Sequence, residues 1–310
     1  MKGIAIVGVL FVHMAFTSRF DAATLASIAM LQRIFAWCVL AFFFASGFLH
    51  RDAEPVESWA GFATKRAKRL LIPCLAFSWA YKLTLLAGTS FGLAPSPLSQ
   101  MPRTAAGFLR EAFTPATPQF YFLVHLFIIA VGIHAMLRLQ ILRAEFSRWL
   151  LAAILLQSYW LLPLDRPHGE ALSQLPLYTA AYLLGMQSAK FANRPHRNLK
   201  AHTLGAALLG ASWLSIAVFR PQILHLALPL LLVLLASRIP QSPITFLGRH
   251  SGAIYAWHTP VVMPLLSMLL MKFSLTGVPL ILAMTIATLA ISLTLDSFVR
   301  RFDKHGVFRL

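Results

Sequence analysis

Apolar runs of roughly 20 residues recur along this chain of 310 residues, and they constrain its fold more than any other feature. Hydrophobic residues make up 58% of the chain and charged residues only 12%, which is too little charge for a soluble domain of this size. The runs are continuous, whereas a membrane β-barrel needs alternating apolar and polar positions. The sequence therefore predicts an all-α, polytopic membrane protein.

We expect about ten transmembrane helices in a single membrane-embedded domain, residues 1–310. The expected spans are 3–17, 29–49, 70–88, 119–137, 149–163, 172–189, 202–218, 223–237, 251–271 and 277–297. Two longer connections separate them, a basic one at 50–69 and one at 89–118 that is rich in Pro, Gly, Ser and Thr. Cys38 and Cys74 offer neither a disulfide framework nor the spacing of metal ligands, so no metal site is expected.

The distribution of positive charge predicts the topology. The formal net charge is +17, but the Lys and Arg residues lie in short loops between apolar spans, which argues against a nucleic-acid partner. With the N-terminus in the cytoplasm, 19 of the 27 Lys and Arg residues fall on the cytoplasmic side and six on the opposite side. This bias predicts cytoplasmic termini and an even number of spans.

The first span carries an ionisable residue at each end. Lys2 and His13 are eleven residues apart, so an α-helix places both on one stripe with a rise of about 16 Å between them. Lys2 is expected at the cytoplasmic interface and His13 well inside the membrane. A histidine there has either a packing role or a function, and its pKa near neutrality suits a general base.

Two further segments lie towards the cytoplasmic side. In FFFASGFLHRD, Ser46 and the glycine after it either allow two helices to approach closely or leave a bend near the cytoplasmic surface. In FATKRAKRLLIP, Arg66 and Arg69 are spaced i, i+3 and share a helix face. They are either ordinary positive-inside anchors or a clamp for phosphate, whose oxygens suit the guanidinium fork.

Two aromatic segments complete the set. PQFYFLVHLFII places Tyr121 at the non-cytoplasmic end of a span, where aromatic residues commonly form a belt. GRHSGAIYAWHTPVV places Trp257 and His258 just before Pro260, so a second histidine falls within a span. For His258 a packing role and a function are equally consistent with the sequence.

These segments, in this order, resemble the membrane-bound acyltransferase 3 family, which O-acylates bacterial surface glycans. The resemblance rests on Lys2 with His13, on FFFASGF, on Arg66 with Arg69 before LLIP, on YFLVHL, and on Trp257-His258-x-Pro260. It covers roughly residues 2–262. The short form, without an attached hydrolase-like domain, is similar to the exopolysaccharide and fucose O-acetylase branch.

The resemblance implies an enzyme, a transferase of acyl groups other than amino-acyl groups, in the bacterial inner membrane. It implies acyl-CoA, most often acetyl-CoA, as donor substrate with no bound cofactor, and a glycan or lipid-linked saccharide as acceptor. The donor phosphates would meet Lys2, Arg66 and Arg69. His13 would act as general base or carry the acyl group transiently, while His258, Ser46 and Tyr121 would complete the catalytic and substrate-binding set.

Two other function classes remain open from the sequence. A secondary transporter or flippase for a lipid-linked glycan would also have about ten spans with charged groups at mid-membrane. However, no inverted repeat is evident, and no acidic residue lies in the middle of a span. A non-catalytic assembly subunit is the third reading, and neither the acyl group, the sugar nor the oligomeric state follows from the sequence.

Overall fold

A computed structural model describes residues 2–14, 20–50, 58–90, 120–142, 144–161, 174–193, 243–270 and 275–302. All regular secondary structure within these ranges is helical, as predicted. The helices are α1 (Lys2–Val12), α2 (Ala22–Phe35), α3 (Cys38–Phe48), α4 (Trp59–Ser90), α5 (Tyr121–Arg138), α6 (Glu145–Leu161), α7 (Leu175–Asn193), α8 (Pro243–Arg249), α9 (Ser251–Trp257), a π-helix (His258–Val262), α10 (Met263–Leu270) and α11 (Gly277–Phe302).

Three stretches in the described ranges are long and apolar enough to cross a membrane. They are Ala22–Phe48, Tyr121–Arg138 and Gly277–Arg301. Large apolar side chains face outward from all three, with Met30 60% exposed on α2, Ile128 46% exposed on α5 and Ile286 65% exposed on α11. Apolar side chains on an outer surface suit a lipid environment. The predicted spans 202–218 and 223–237 lie outside the described residues, so the total of about ten spans stays a prediction.

Two helices begin earlier than the sequence analysis predicted. α2 starts at Ala22 because the Asp21 carboxylate accepts the Thr24 backbone N–H at 2.9 Å, a typical N-cap. α4 starts at Trp59, where the Ser58 hydroxyl accepts the Gly61 N–H at 3.1 Å. The basic stretch expected to be part of a connection at 50–69 is therefore helical from residue 59 onward. α4 also continues through Pro73.

The described helices form two compact units. The first contains α3, α6, α7 and α5 from His125 onward. Within it, α3 and α7 approach closely because a Cβ on Gly47 would overlap the carbonyl oxygen of Tyr182, and a Cβ on Gly185 would overlap that of Phe44. The Phe43 and Tyr178 rings stack at 4.4 Å. Small residues at such crossings are the usual means of close packing in membranes.

The second unit contains α1, α2, most of α4, and α8 through α11. α1 packs along α8 and α9, and it also contacts α2 and α11. The start of α11 is tied to α2, since the Gly277 backbone N–H donates to the Thr24 hydroxyl at 2.6 Å. Gly277 has a positive φ of 62°, which glycine adopts without strain, so α11 can begin at this turn.

Candidate active site

Two helical segments run side by side from Lys2 and Gly248. A Cβ on Gly248 would lie 3.6 Å from the Lys2 Cβ, and a Cβ on Gly3 would overlap the Ile244 carbonyl oxygen, so α1 and α8 touch at this end. Eleven residues beyond Lys2 is His13, and ten residues beyond Gly248 is His258. Both rises are about 15 to 16 Å. The structure brings the two imidazoles together there, with ring centroids 5.5 Å apart and planes tilted by 36°.

The imidazole of His258 is oriented by its own backbone. It is fully buried, and Nδ1 lies 2.7 Å from the Tyr255 carbonyl oxygen and 3.1 Å from the Ile254 carbonyl oxygen. Because a carbonyl only accepts, Nδ1 must carry the hydrogen. In the neutral ring Nε2 is then the acceptor. Pro260 lacks the N–H that a π-helix would direct at the Tyr255 carbonyl, so this oxygen is available to His258.

His13 follows the last residue of α1 and is half-buried. Its backbone N–H donates to the Val9 carbonyl at 3.1 Å, so the helical path continues up to it. The carbonyl of Val12, at the helix end, accepts from the Gln32 side-chain amide at 2.9 Å. The rings of Phe11 and Phe35 meet nearby at 5.2 Å. Thus α2 holds the end of α1 from which His13 projects.

Aromatic side chains of α4 and α5 pack against Tyr255 and Trp257, the aromatic residues just before His258. The Tyr255 ring lies 5.6 Å from the His258 ring and 5.2 Å from Phe122. Phe77 of α4 meets Trp257 edge to face at 4.8 Å. Tyr121, the predicted substrate-binding residue, is half-buried and immediately precedes Phe122. Sequence analysis gave Tyr255 no role, although its i, i+3 spacing from His258 could have signalled one.

The N-terminal end of α1 is basic. Lys2 is half-buried, and burial, followed by the nearby charge of Arg69, lowers its pKa. Arg66 is half-buried and Arg69 exposed on α4. Within the described ranges, no carboxylate lies at ion-pair distance from Lys2 or Arg69. Two cations close enough to repel each other, without an acid between them, make a suitable place for an anion.

Ser46 lies in the first unit. It is half-buried on α3, next to the glycine that packs against α7. The close approach of helices, one of the two roles that the sequence offered for this segment, is what Gly47 performs. Substrate binding by Ser46 stays a prediction. No set of three or more His, Cys, Asp or Glu side chains in the described ranges is placed to hold a metal ion.

Comparison with known proteins identifies the family of the chain. The family model of the acyltransferase 3 domain, described as an acyltransferase domain, matches residues 1–296. No curated protein and no solved structure matches the chain. The match covers nearly the whole sequence, including both histidines and the basic end of α1. The chain therefore belongs to the acyltransferase 3 family of membrane acyltransferases.

Proposed function

We propose that the protein is an O-acyltransferase that moves an acyl group, in the first instance acetyl, from cytosolic acyl-CoA to a hydroxyl of a surface or lipid-linked glycan. The observation that carries the proposal is the pair of imidazoles, His13 and His258, with centroids 5.5 Å apart. They lie about 16 Å along α1 from the basic group formed by Lys2 and Arg69. This arrangement separates a reacting end from an anion-binding end on one helix.

The reaction needs one proton to move within the site. The acceptor oxygen attacks the thioester carbonyl carbon, the C–O bond forms, the C–S bond breaks, and the hydroxyl proton ends on the CoA sulfur. His13 removes that proton and returns it to the departing thiolate. In the alternative route, His13 first takes the acyl group itself and then passes it to the acceptor.

His258 orients the acceptor hydroxyl in this scheme. Its Nδ1–H is engaged by the Tyr255 and Ile254 carbonyls, so its neutral ring presents an acceptor at Nε2. Because the one hydrogen of the reacting hydroxyl goes to His13, Nε2 of His258 would accept from a neighbouring hydroxyl of the acceptor sugar and so hold that sugar in line for attack. Polarising the thioester carbonyl would instead need a donor at that nitrogen, which favours the orienting role.

The basic group binds the donor by its phosphates. CoA carries a 3′-phosphate and a pyrophosphate, and Lys2, Arg66 and Arg69 would supply charge-assisted hydrogen bonds to them. The pantetheine arm would then extend along α1 to the histidines. Ser46 and Tyr121 are proposed as further substrate contacts, each on its own helix.

The proposed setting is the bacterial inner membrane, with about ten spans, both termini in the cytoplasm and a single catalytic domain over residues 1–310. The charge distribution supports this topology. The proposed acceptor is an exopolysaccharide or a related glycan, as in the fucose O-acetylase branch that the motifs resemble. Transport of a glycan precursor is disfavoured, because membership of an acyltransferase family gives no reason to expect it.

The test is acyl transfer by the purified protein in lipid nanodiscs. Acetyl-CoA labelled in the acetyl group is supplied with lipid-linked glycans, and both free CoA thiol and labelled glycan are measured. We expect equal amounts of the two products, and none from empty nanodiscs. Movement of glycan across a vesicle membrane without any release of CoA thiol would overturn the proposal in favour of a flippase.

A further inference from the structure

Two buried hydroxyls on α11 have no role in the scheme above. Thr288 and Ser292 are fully buried, and neither hydroxyl has a hydrogen-bond partner among the described residues. Serine and threonine in a helix usually bond to the carbonyl four residues earlier. On the same helix, Thr285 and Thr294 do so, at 2.7 Å and 2.9 Å. The hydroxyls of Thr288 and Ser292 therefore lack this usual bond and remain able to bind a ligand.

The level of these hydroxyls follows from the helix pairing. α9, the π-helix and α10 all contact α11. The start of α9 lies near the end of α11, so the two run antiparallel. His250, just before α9, has Nδ1 3.6 Å from Asp296 Oδ2, which sets the level of the pair. Eight residues after His250 is His258, and eight residues before Asp296 is Thr288, both about 12 Å away. Thr288 thus lies level with His258, and Ser292 lies one turn nearer to His250.

The basic end of α1 lies just beyond His250. Lys2 is level with Gly248, which precedes His250 by two residues in the chain. α11 also contacts α1. Ser292 and Thr288 are therefore stacked between the level of the basic group and the level of the two histidines. A donor that extends from the basic group to the histidines would therefore pass the level of Ser292 and reach that of Thr288.

We propose that Thr288 and Ser292 bind the two amide groups of the pantetheine arm of acyl-CoA, an inference that rests on the proposed function. A hydroxyl both donates and accepts, so it can meet the C=O or the N–H of an amide. The amides of pantetheine are separated by two methylenes, roughly 5 Å along the chain. Four residues of helix give a rise of about 6 Å, a matching spacing.

Two other uses of the hydroxyls fit the observations less well. A proton path to the cytoplasm is unnecessary, because acyl transfer delivers the hydroxyl proton to the CoA sulfur within the site. A cation site needs more oxygen ligands than two hydroxyls. The nearest carboxylate on this stripe, Asp296, lies a further turn away and is paired with Arg300 at 2.7 Å.

The experiment compares Thr288→Val with Ser292→Ala and the double variant. Valine keeps the shape of threonine and removes the hydroxyl, and Thr288→Ser restores it. The matched controls are Thr285→Val and Thr294→Val, whose hydroxyls bond within the helix. The probes are acetyl-CoA, acetyl-pantetheine, which lacks the nucleotide, and adenosine 3′,5′-bisphosphate, which lacks the arm.

We expect removal of either hydroxyl, in Thr288→Val or Ser292→Ala, to raise the KM for acetyl-CoA and acetyl-pantetheine about 3- to 10-fold, as for one lost hydrogen bond. Thr288→Ser should stay near wild type, and the inhibition constant of the bisphosphate should not change. Unchanged KM in the double variant, with turnover intact, would overturn the subsite alone. If acetyl-pantetheine and the bisphosphate are weakened equally, the variant has a general packing defect, and this result would also overturn the subsite. Failure of wild-type protein to bind acetyl-CoA would overturn the proposed function as well.

Discussion

The shorter of the two hydrogen bonds that orient the His258 imidazole is favoured by Pro260, two positions along the chain. Pro260 has no N–H, and the carbonyl that such a donor would have occupied in the π-helix accepts from His258 Nδ1 instead. The Tyr255 and Ile254 carbonyls thereby hold the ring in one tautomer. π-helical turns recur at functional sites, and here the turn supplies an acceptor for a histidine.

The proposed roles of the two histidines give a first prediction. His13→Ala should insert normally, since removing one polar ring does not impede insertion, and it should lower acyl transfer by about 10²- to 10⁴-fold, the usual value of general base catalysis. Near-normal transfer would remove His13 from the mechanism. His258→Ala should lower turnover too. If it instead lowers only the melting temperature, His258 has a packing role.

Gln32 gives a second prediction, as a positioning residue. Its amide donates to the Val12 carbonyl at the end of α1. Gln32→Glu keeps the size of the side chain but offers no donor when ionised, so His13 should lose its alignment. We expect kcat to fall about 3- to 10-fold, as for one lost hydrogen bond, with the KM for acetyl-CoA unchanged.

The control for Gln32 lies on the same helix. Ser27→Ala removes a hydroxyl that bonds only to the Ala23 carbonyl at 2.9 Å, and it should leave kcat unaltered. A rise in KM for acetyl-CoA with constant kcat in Gln32→Glu would count against the positioning role.

At the scale of elements, the crossing of α3 and α7 depends on two glycines. A methyl group on Gly47 would overlap backbone of α7, and one on Gly185 would overlap backbone of α3, so the helices would have to separate. Each Gly→Ala variant should lower the free energy of unfolding by about 1 to 3 kcal/mol, as overpacking does. Gly132 on α5 has nothing within 4 Å of its Cβ position. Gly132→Ala should be neutral or slightly stabilising, and equal melting temperatures for all three variants would contradict this account.

The basic face of α4 gives the fourth prediction. Arg66→Ala or Arg69→Ala should weaken acyl-CoA binding about tenfold or more, because a charge-assisted hydrogen bond contributes roughly 1.5 to 3 kcal/mol. The KM for the glycan should not change. Lysine at either position should rescue only in part, since it keeps the charge and loses the fork. If lysine is fully silent and alanine alters only protein level or orientation, these residues are topology anchors.

For the whole molecule, periodicity within one helix was the most informative signal. The all-helical class followed from continuous apolar runs, and Lys2 and His13 could be placed on one stripe because eleven residues nearly complete whole turns. Likewise Arg66 and Arg69 share a face because α4 is helical there. These statements need only the geometry of a single helix.

Pairings between distant segments were not predictable in the same way. Nothing in the sequence says that His258 lies against His13, because hydrophobic periodicity does not identify which helices are neighbours. The early start of α2 has a local signal, since Asp21 precedes the helical run as an N-cap, but the apolar run by which spans are predicted begins only at residue 29. The unbonded hydroxyls of Thr288 and Ser292 appear only once the neighbouring side chains are placed.

The fixed separation of Lys2 and His13 on α1 sets a minimum length for the acyl donor. Under the proposed function, a thioester is presented to the histidines only when its carrier is long enough to span about 16 Å from an anchored phosphate. A short activated acyl donor, such as an acyl phosphate, could bind at Lys2 or reach His13, but it could not do both. Selection would then act on the length of the carrier and leave the acyl group itself comparatively unconstrained.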